Sequence, residues 1–160
     1  MIRKVRAEDA SQIRDIYNYY ILETVVTFEE EEISSEEMLR RIDEVTKRYP
    51  WIVYEENGAL LGYAYASEFR ERIAYRFTAE STVYLRHGQE GKGIGIQLYE
   101  HLISELKRTD IHAVIGCITL PNVGSVHLHE KLGFRKNGVF PQTGYKFGKW
   151  LDVGFWELIL

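Results

Sequence analysis

The residues with the clearest chemical meaning in this chain are three glycines at alternate positions. They stand in the segment EGKGIG, residues 90–95, between a strand-like run that ends at Leu85 and an apolar series at helical spacing. Glycine lets a backbone come close to a ligand, and the first turn of a helix offers unpaired N–H groups at the positive end of its dipole. The spacing predicts a phosphate-binding corner between a strand and a helix.

The glycine spacing separates three kinds of phosphate motif. A Walker A loop requires Gly-Lys-Ser/Thr after four intervening residues, but only two residues separate Gly88 from Gly91, and Lys92 is followed by Gly93. A dinucleotide fingerprint requires G-x-G-x-x-G, and this chain has G-x-G-x-G without an early βαβ unit. The segment resembles the turn with which the GNAT acyltransferases bind the pyrophosphate of acetyl-CoA, although Glu90 replaces their usual Gln or Arg. A glycine-rich turn that binds no ligand is the alternative.

Composition and charge argue against several other classes of protein. The 160 residues, with 45% hydrophobic residues and three prolines, predict one globular domain over residues 1–160. A net charge of −4 without a basic stripe argues against nucleic acid and anionic membranes as partners. No apolar leader region or long apolar run is present, so we expect a soluble cytoplasmic protein. The single cysteine, Cys117, lies in an apolar run and is expected to be a buried structural thiol.

The hydrophobic periodicity predicts a mixed α/β sandwich with the element order βααβββαβαββ. Strands are expected at Ile2–Arg6, Trp51–Glu55, Ala59–Phe69, Thr78–Leu85, Ala113–Ile118, Arg135–Phe140 and Trp150–Leu160. Helices are expected after the first strand, between Ser34 and Pro50, from the glycine motif to Leu106, and from about Ser125 to Lys131. We also expect three further features: a loop over the substrate site at Thr24–Phe28, a hairpin turn at Asn57-Gly58, and parallel pairing between the strands of Val83 and Ala113.

Further segments resemble the branch of the GNAT family that contains phosphinothricin and methionine sulfoximine N-acetyltransferases. They are Arg48–Trp51, Ala74–Tyr84, the residues Asn122 and Ser125 ahead of His129–Phe134, and the string from Gly144 to Leu158. The resemblance implies an α/β fold with a mostly antiparallel central sheet, two splayed parallel strands and helices on both faces. It also implies a homodimer, acetyl-CoA as cosubstrate and a small amino acid analogue as acetyl acceptor.

The resemblance assigns the acetyl-CoA contacts to three segments. The pantetheine arm would lie between the splayed strands and bond to the backbone of Val83, Tyr84 and Leu85, whose amides would also stabilise the oxyanion. The pyrophosphate would meet Gly91, Lys92, Gly93, Ile94, Gly95 and Ile96. Asn122 and Ser125 would contact the arm further along, although a simple helix-entry role is the alternative for Asn122.

Two residues are candidates for proton transfer. Glu80 would be the general base, because it faces the opposite side of its strand from Val83, and burial beside aromatics such as Tyr75 would raise its pKa. An exposed strand carboxylate is the alternative. His129 stands where many relatives carry a tyrosine credited with protonating the departing thiolate, but a packed structural histidine is the alternative. A metal site is not expected, because His127 and His129 diverge on a helix and Cys117 has no partner cysteine.

The acceptor would be held mainly through its carboxylate. Arginine binds carboxylates in a bidentate manner that lysine does not reproduce. The candidate contacts are Arg70 and Arg76 for the carboxylate, with Arg72 in reserve, Phe28 and Tyr75 for the side chain, and Lys146 for an anionic or sulfoximine head group. The rival functions are a peptide or protein N-acetyltransferase and a non-catalytic acyl-CoA-binding module.

Overall fold

One seven-stranded sheet, in the order β1-β2-β3-β4-β5-β7-β6, organises the computed structural model, which describes residues 1–160. The strands are β1 (Ile2–Lys4), β2 (Trp51–Glu56), β3 (Ala59–Glu68), β4 (Thr78–Leu85), β5 (Ala113–Leu120), β6 (Arg135–Lys146) and β7 (Lys149–Ile159). The helices are α1 (Ala10–Glu23), α2 (Ser35–Thr46), α3 (Ile94–Leu106) and α4 (Val123–Lys131). The predicted element order and the predicted fold class are confirmed.

Local sequence signals explain several of these boundaries. The Ser34 hydroxyl accepts a hydrogen bond from the Glu37 N–H at 3.1 Å and begins α2 as an N-cap. Asn57 and Gly58 have φ angles of 51° and 80°, which a tight turn of this hairpin type requires. The predicted hairpin between β2 and β3 is therefore confirmed, and β4 adds to it as a third antiparallel strand.

Helices cover both faces of the sheet. The apolar stripes of α1 and α2 pack on one face around Trp51 and Tyr63, and the stripe of α3 packs on the other face around Ile118 and Trp156. Each stripe follows the i, i+3, i+4 spacing that buries one side of a helix. No helix of the protein has both the length and the apolar character needed to cross a membrane.

The strands β4 and β5 form the one parallel pair, and they part after three residues. Residues Thr78–Glu80 pair with Ala113–Ile115, although β4 continues to Leu85 and β5 continues to Leu120. Beyond the parallel pairs, β4 remains bonded to β3 and β5 remains bonded to β7. Each strand thus keeps one ordered neighbour, and a gap opens between them toward their carboxyl ends. Both the predicted parallel pairing and the splay are confirmed.

The C-terminal hairpin differs from the prediction. Strand β6 runs on to Lys146 and β7 begins at Lys149, so the two strands are joined by a turn at Phe147 and Gly148. Phe147 has a φ of 52°, which a bulky residue rarely adopts. Because phenylalanine is not a typical turn residue, the residue type at this position does not predict the turn. Helix α2 also ends at Thr46, earlier than the stop expected at Pro50.

Candidate active site

A cavity of about 300 Å³ occupies the gap between β4 and β5. It passes through the sheet, because its walls include side chains from both faces. The face of α1 and α2, called the acceptor face below, contributes Tyr17, Phe28, Tyr65, Glu80 and Cys117. The face of α3 and α4 contributes Ser81, Tyr99, Ser125 and His129. The splay therefore brings together residues that an intact sheet would keep on opposite sides.

The glycine motif forms a corner of free backbone donors beside this gap. The N–H groups of residues 91–96 donate to no acceptor within the chain, and α3 begins directly after Gly93. Gly91 and Gly93 have φ angles of 73° and 79°, so the loop uses a left-handed backbone that favours glycine. A run of unpaired N–H groups at a helix N-terminus suits an anion, and the pyrophosphate of acetyl-CoA fits this requirement.

Glu90, the departure from the usual family residue, is engaged within the loop. Its carboxylate accepts a hydrogen bond from the Gly88 N–H at 2.8 Å. Lys92 donates to the Gln89 side chain at 2.9 Å, so its ammonium also lies over the same loop. Glu90 therefore stabilises the turn and leaves the free N–H groups of the following residues in place.

The backbone of β4 faces the gap at alternate residues. The Arg86 N–H donates to the Leu61 carbonyl at 2.8 Å, and in an antiparallel pair alternate residues turn their polar groups to the same neighbour. Val83 and Leu85 consequently present N–H groups to the gap. The backbone of Tyr84 faces β3 instead, so the expected backbone contact of Tyr84 with the pantetheine arm does not fit, and its ring packs on the acceptor face.

Asn122 and Ser125 lie where β5 passes into α4. The Asn122 side-chain oxygen accepts from the Ser125 N–H at 3.1 Å, which makes Asn122 the N-cap of α4. The helix-entry alternative for Asn122 is thus observed, and its side-chain NH₂ group donates to no acceptor within the chain. Ser125 itself lines the cavity.

Glu80 lies at the last parallel pair, on the acceptor face. Burial raises the pKa of its carboxyl above the ordinary value, while the neighbouring Cys117 thiol acts in the opposite direction. Several aromatic side chains line the cavity with Glu80, Tyr65 among them, but the expected Tyr75 does not. A carboxylate with a raised pKa at the edge of a cavity is suited to accept a proton near neutral pH.

Cys117 corrects a prediction. It is exposed in the cavity and is not a buried structural thiol. The odd-numbered residues of β5 face the acceptor side, where β4 has already moved away and leaves the thiol uncovered. The cavity walls and the Glu80 carboxylate raise the pKa of the Cys117 thiol to about 12, so the thiol stays protonated at neutral pH.

His129 is buried on the opposite face, with only 4% of its surface exposed. Its Nε2 lies 2.9 Å from the Tyr99 hydroxyl, and its Nδ1 lies 2.7 Å from the Ser125 carbonyl oxygen. Burial lowers the pKa of His129 below its ordinary value. The ring is therefore neutral at pH 7, and both of its nitrogen atoms already have partners.

The loop between α1 and α2 covers the acceptor face, as the sequence predicted for Thr24–Phe28. Val26, Thr27 and Phe28 line the cavity, and the Phe28 ring packs so closely on Gly144 of β6 that a Cβ there would overlap it. Lys146 is fully buried beneath this loop, and its ammonium donates to the Thr27 carbonyl at 2.8 Å. Lys146 does not line the cavity; it holds the loop that does.

The other predicted acceptor contacts lie outside the cavity wall. Arg70 is exposed and stacks on Tyr75, with 5.5 Å between its guanidinium carbon and the ring centre. Arg76 donates to the Ile73 carbonyl at 3.2 Å and stacks on Phe77. The positive charge of Arg70 nevertheless acts on the cavity, because it lowers the pKa of the Cys117 thiol against the effect of burial.

Sequence reasoning missed several cavity residues. Tyr17 belongs to the buried stripe of α1, and Tyr65 and Tyr99 stand in no motif that would place them in a site. The signal for Tyr65 and Cys117 is their place on strands next to Glu80, which becomes visible only when the strand register is known. For Tyr99 a signal does exist in the sequence: it lies in the helix that follows the glycine motif, five residues after Ile94.

Comparisons with known proteins agree with this geometry. The model of the acetyltransferase (GNAT) domain family matches residues 2–154. A phosphinothricin N-acetyltransferase of Streptomyces viridochromogenes is 40% identical over 156 residues, which are 98% of this chain and 85% of that protein. An L-methionine sulfoximine/L-methionine sulfone acetyltransferase of Salmonella typhimurium is 35% identical over 160 residues, which are 99% of this chain and 94% of that protein.

A solved structure from Salmonella typhimurium is similar over the whole chain. It is described as an acetyltransferase with its cofactor acetyl-CoA, and it superposes with a TM-score of 0.98 at 35% identity. The match covers 100% of this chain and 93% of that one. The splayed pair and the glycine corner described above therefore belong to a fold that has been observed together with acetyl-CoA.

Proposed function

We infer the function from one premise: this chain belongs to the acetyltransferase (GNAT) domain family. The chain is an N-acetyltransferase that uses acetyl-CoA. Its acceptor is the amino group of a small amino acid analogue of the phosphinothricin, methionine sulfoximine or methionine sulfone type. The observation that carries the chemistry is the position of Glu80, a half-buried carboxylate of raised pKa at the mouth of the gap.

The binding of acetyl-CoA follows from two sets of free backbone donors. The N–H groups of residues 91–96 would hold the pyrophosphate, and the N–H group of Val83 would bond the pantetheine arm in the gap. The Val83 N–H is also the candidate donor to the oxyanion that develops on the thioester carbonyl. The Leu85 N–H also faces the gap, whereas the Leu85 carbonyl accepts from the Tyr20 hydroxyl at 2.7 Å.

Glu80 acts as the general base in this proposal. An amino acid at neutral pH carries an ammonium group, and the attack on a thioester requires the neutral amine. The Glu80 carboxylate takes this proton, directly or through a water molecule, and the amine then attacks the thioester in a ternary complex. An acyl-enzyme on Cys117 is disfavoured, because its thiol is held protonated and is a poor nucleophile in that form.

To act as the general acid, His129 would have to donate a proton from Nε2, and in the observed arrangement Nε2 carries none. A neutral ring with Nδ1 bonded to the Ser125 carbonyl has no proton on Nε2. We therefore assign to His129 a positioning role on the face of α3 and α4. Protonation of the departing thiolate by His129 would first require that the ring gain a second proton.

Recognition of the acceptor is assigned to the loop and to one arginine. Phe28 and Tyr65 form apolar walls for the side chain of the analogue. Arg70 is the better candidate for the carboxylate, because its charge reaches the cavity, whereas Arg76 is occupied with the Ile73 carbonyl. Lys146 would act indirectly, by holding Thr27 and the covering loop.

The experiment compares amino acids with the matching decarboxylated amines. Methionine sulfoximine, methionine sulfone and phosphinothricin should have kcat/KM values about twofold to fivefold above those of their amines, since Arg70 is exposed and an exposed ion pair contributes about 0.2–1 kcal/mol. Arg70→Ala should remove most of this difference by slowing the acids, and Arg76→Ala is the matched control. Equal rates for acid and amine in the parent protein would contradict the arginine contact. Acetylation of peptides alone would favour a peptide or protein N-acetyltransferase. No acetylation of any amine would favour a non-catalytic acyl-CoA-binding module.

We also propose that the protein is a cytoplasmic homodimer. The tip of the β6–β7 hairpin exposes three aromatic side chains, Tyr145, Phe147 and Trp150, which together form an apolar surface suited to a second copy. One unpaired cysteine is consistent with a reducing compartment. Light scattering tests the dimer, and a monomer at assay concentration would contradict it; cell fractionation tests the location.

A further inference from the structure

A buried chain of hydrogen bonds runs from the mouth of the gap to His129. The Ser81 hydroxyl lies 2.5 Å from the Tyr99 hydroxyl, which lies 2.9 Å from His129 Nε2. The chain ends at the Ser125 carbonyl, 2.7 Å from His129 Nδ1. Ser81, Tyr99 and His129 are all buried, and they come from β4, α3 and α4 respectively.

The direction of this chain follows from its last member. A carbonyl oxygen only accepts, so His129 Nδ1 must carry the proton and donate to Ser125. In the neutral ring Nε2 is then an acceptor, and the Tyr99 hydroxyl must donate to it. The Tyr99 oxygen remains free to accept from the Ser81 hydroxyl. The Tyr99 hydroxyl therefore points toward His129, and the Ser81 hydroxyl has two acceptors, the Tyr99 oxygen at 2.5 Å and the Ile115 carbonyl at 3.5 Å.

The surroundings hold the His129 ring in this orientation. Tyr99 and Phe134 pack edge-on against the ring, each with 5.0 Å between ring centres. A Cβ at Gly116 of β5 would lie 2.5 Å from Nε2, so the absence of a side chain there is what admits the ring. The polar contacts of the ring are Tyr99 and Ser125 alone.

Ser81 occupies a particular place at the other end. It follows Glu80, the last residue of β4 that pairs with β5, and it points to the face opposite Glu80. The mouth of the gap is thus flanked by the proposed base on the acceptor face and by the Ser81 hydroxyl on the other. The Ser81 hydroxyl is the member of the hydrogen-bond chain that lies at this point, and its contact at 2.5 Å is with the Tyr99 hydroxyl.

We propose that Tyr99 is a positioning residue for acetyl transfer, because it bridges His129 and Ser81 and so orients the Ser81 hydroxyl at the mouth of the gap. This inference rests on the proposed function, since it assigns a task within that reaction. No proton needs to move along the chain for this role. In this role Tyr99 orders the polar wall of the gap in which the thioester would be held.

The test uses Tyr99→Phe, which removes one oxygen atom and keeps the ring. We expect kcat to fall about fivefold to tenfold, the value of one or two lost hydrogen bonds, with KM for acetyl-CoA and acceptor within about twofold. In the same variant, ¹⁵N NMR should show a shifted Nε2 resonance of His129, because the hydrogen bond from Tyr99 is lost, while Nδ1 stays protonated on the Ser125 carbonyl. A variant with the kcat of the parent protein would overturn the proposal.

Two further variants separate positioning from simple stability. Tyr63→Phe is the matched control, because Tyr63 is equally buried on the other face and its hydroxyl makes no hydrogen bond within the chain; its kcat should stay at the parent value. Ser81→Ala should lower kcat, and the double variant with Tyr99→Phe should be no slower than the slower single variant. Fully additive losses would overturn the proposal. An inactive parent protein would instead refute the proposed function.

Discussion

The cofactor side and the acceptor side of the gap are built in different ways. On the cofactor side, the donors are consecutive backbone N–H groups, residues 91–96, and one left-handed loop places all of them. On the acceptor side, the wall residues come from five different elements: Tyr17 from α1, Phe28 from the loop, Tyr65 from β3, Glu80 from β4 and Cys117 from β5. The first side depends on backbone conformation, and the second depends on side chains that meet only in the folded chain.

This difference predicts different responses to substitution. A change in the glycine loop should act on acetyl-CoA binding and leave the pH dependence alone. A change on the acceptor face should act on the chemical step and on its pH dependence, and leave acetyl-CoA binding alone. Three substitutions test this division.

The largest effect is expected for Glu80→Gln. We expect kcat/KM near neutral pH to fall about 10²- to 10⁴-fold, because the amide cannot take the ammonium proton. In the parent protein, activity should decrease as the pH falls through the raised pKa of Glu80, and this limb should be absent in the variant. Activity of the variant should recover partly at alkaline pH, where free amine is plentiful.

The control for this substitution is Glu68→Gln, at the exposed end of β3. It removes an equivalent charge and should leave kcat/KM and the acid limb unchanged. Calorimetry should show the same affinity for acetyl-CoA in both variants. An unaltered pH profile in Glu80→Gln would remove Glu80 from the mechanism, and a loss of acetyl-CoA binding would break the division between the two sides.

A smaller effect is expected for Gly93→Val. The φ of 79° at Gly93 is costly for any residue with a Cβ, so the side chain should disturb the loop and block the approach of the pyrophosphate. We expect acetyl-CoA binding to weaken roughly tenfold, about 1.4 kcal/mol, with the pH limb of Glu80 in place. Isothermal calorimetry measures the first quantity, and the pH profile measures the second.

Gly58→Val separates backbone strain from ligand contact. Gly58 has a similar φ of 80° with open space around it, but it lies in the hairpin turn far along the chain from the glycine loop. Thermal unfolding should show a comparable loss of stability in both variants, because the same left-handed backbone is strained. Only Gly93→Val should lose acetyl-CoA affinity, and an equal affinity in the two variants would refute the assignment of the loop.

The smallest effect is expected at Cys117. The Cys117 thiol is a donor beside the Glu80 carboxylate; it favours the charged form and so lowers the pKa of Glu80 against the effect of burial. Cys117→Ala removes this donor, and the acid limb of kcat/KM should move up by about 0.5 to 1 pH unit. Cys117→Ser keeps a donor, and its limb should stay at or below that of the parent. Limbs that move in the same direction in both variants would show that Cys117 does not bond Glu80.

Residues near the gap show how far prediction from sequence reached. The glycine corner and the position of Glu80 on the face opposite Val83 could be predicted, because strand alternation and the loop motif are local patterns. The thiol of Cys117 was assigned to the core, because its neighbours along the chain are apolar. The Cys117 thiol is exposed because β4 and β5 separate after Glu80, and the residues around Cys117 give no sign of this separation.

The sequence by itself determined the order of elements, the apolar faces of the helices, the hairpin at Asn57-Gly58 and the phosphate corner. Each of these rests on spacing within a few residues, which sets dihedral angles and amphipathic faces directly. The tertiary structure alone decided that Tyr99 meets His129 and that Lys146 lies buried under Thr27, 119 positions away in the chain. Such contacts join elements whose mutual register is set by packing, and packing is a property of the whole fold rather than of any one segment.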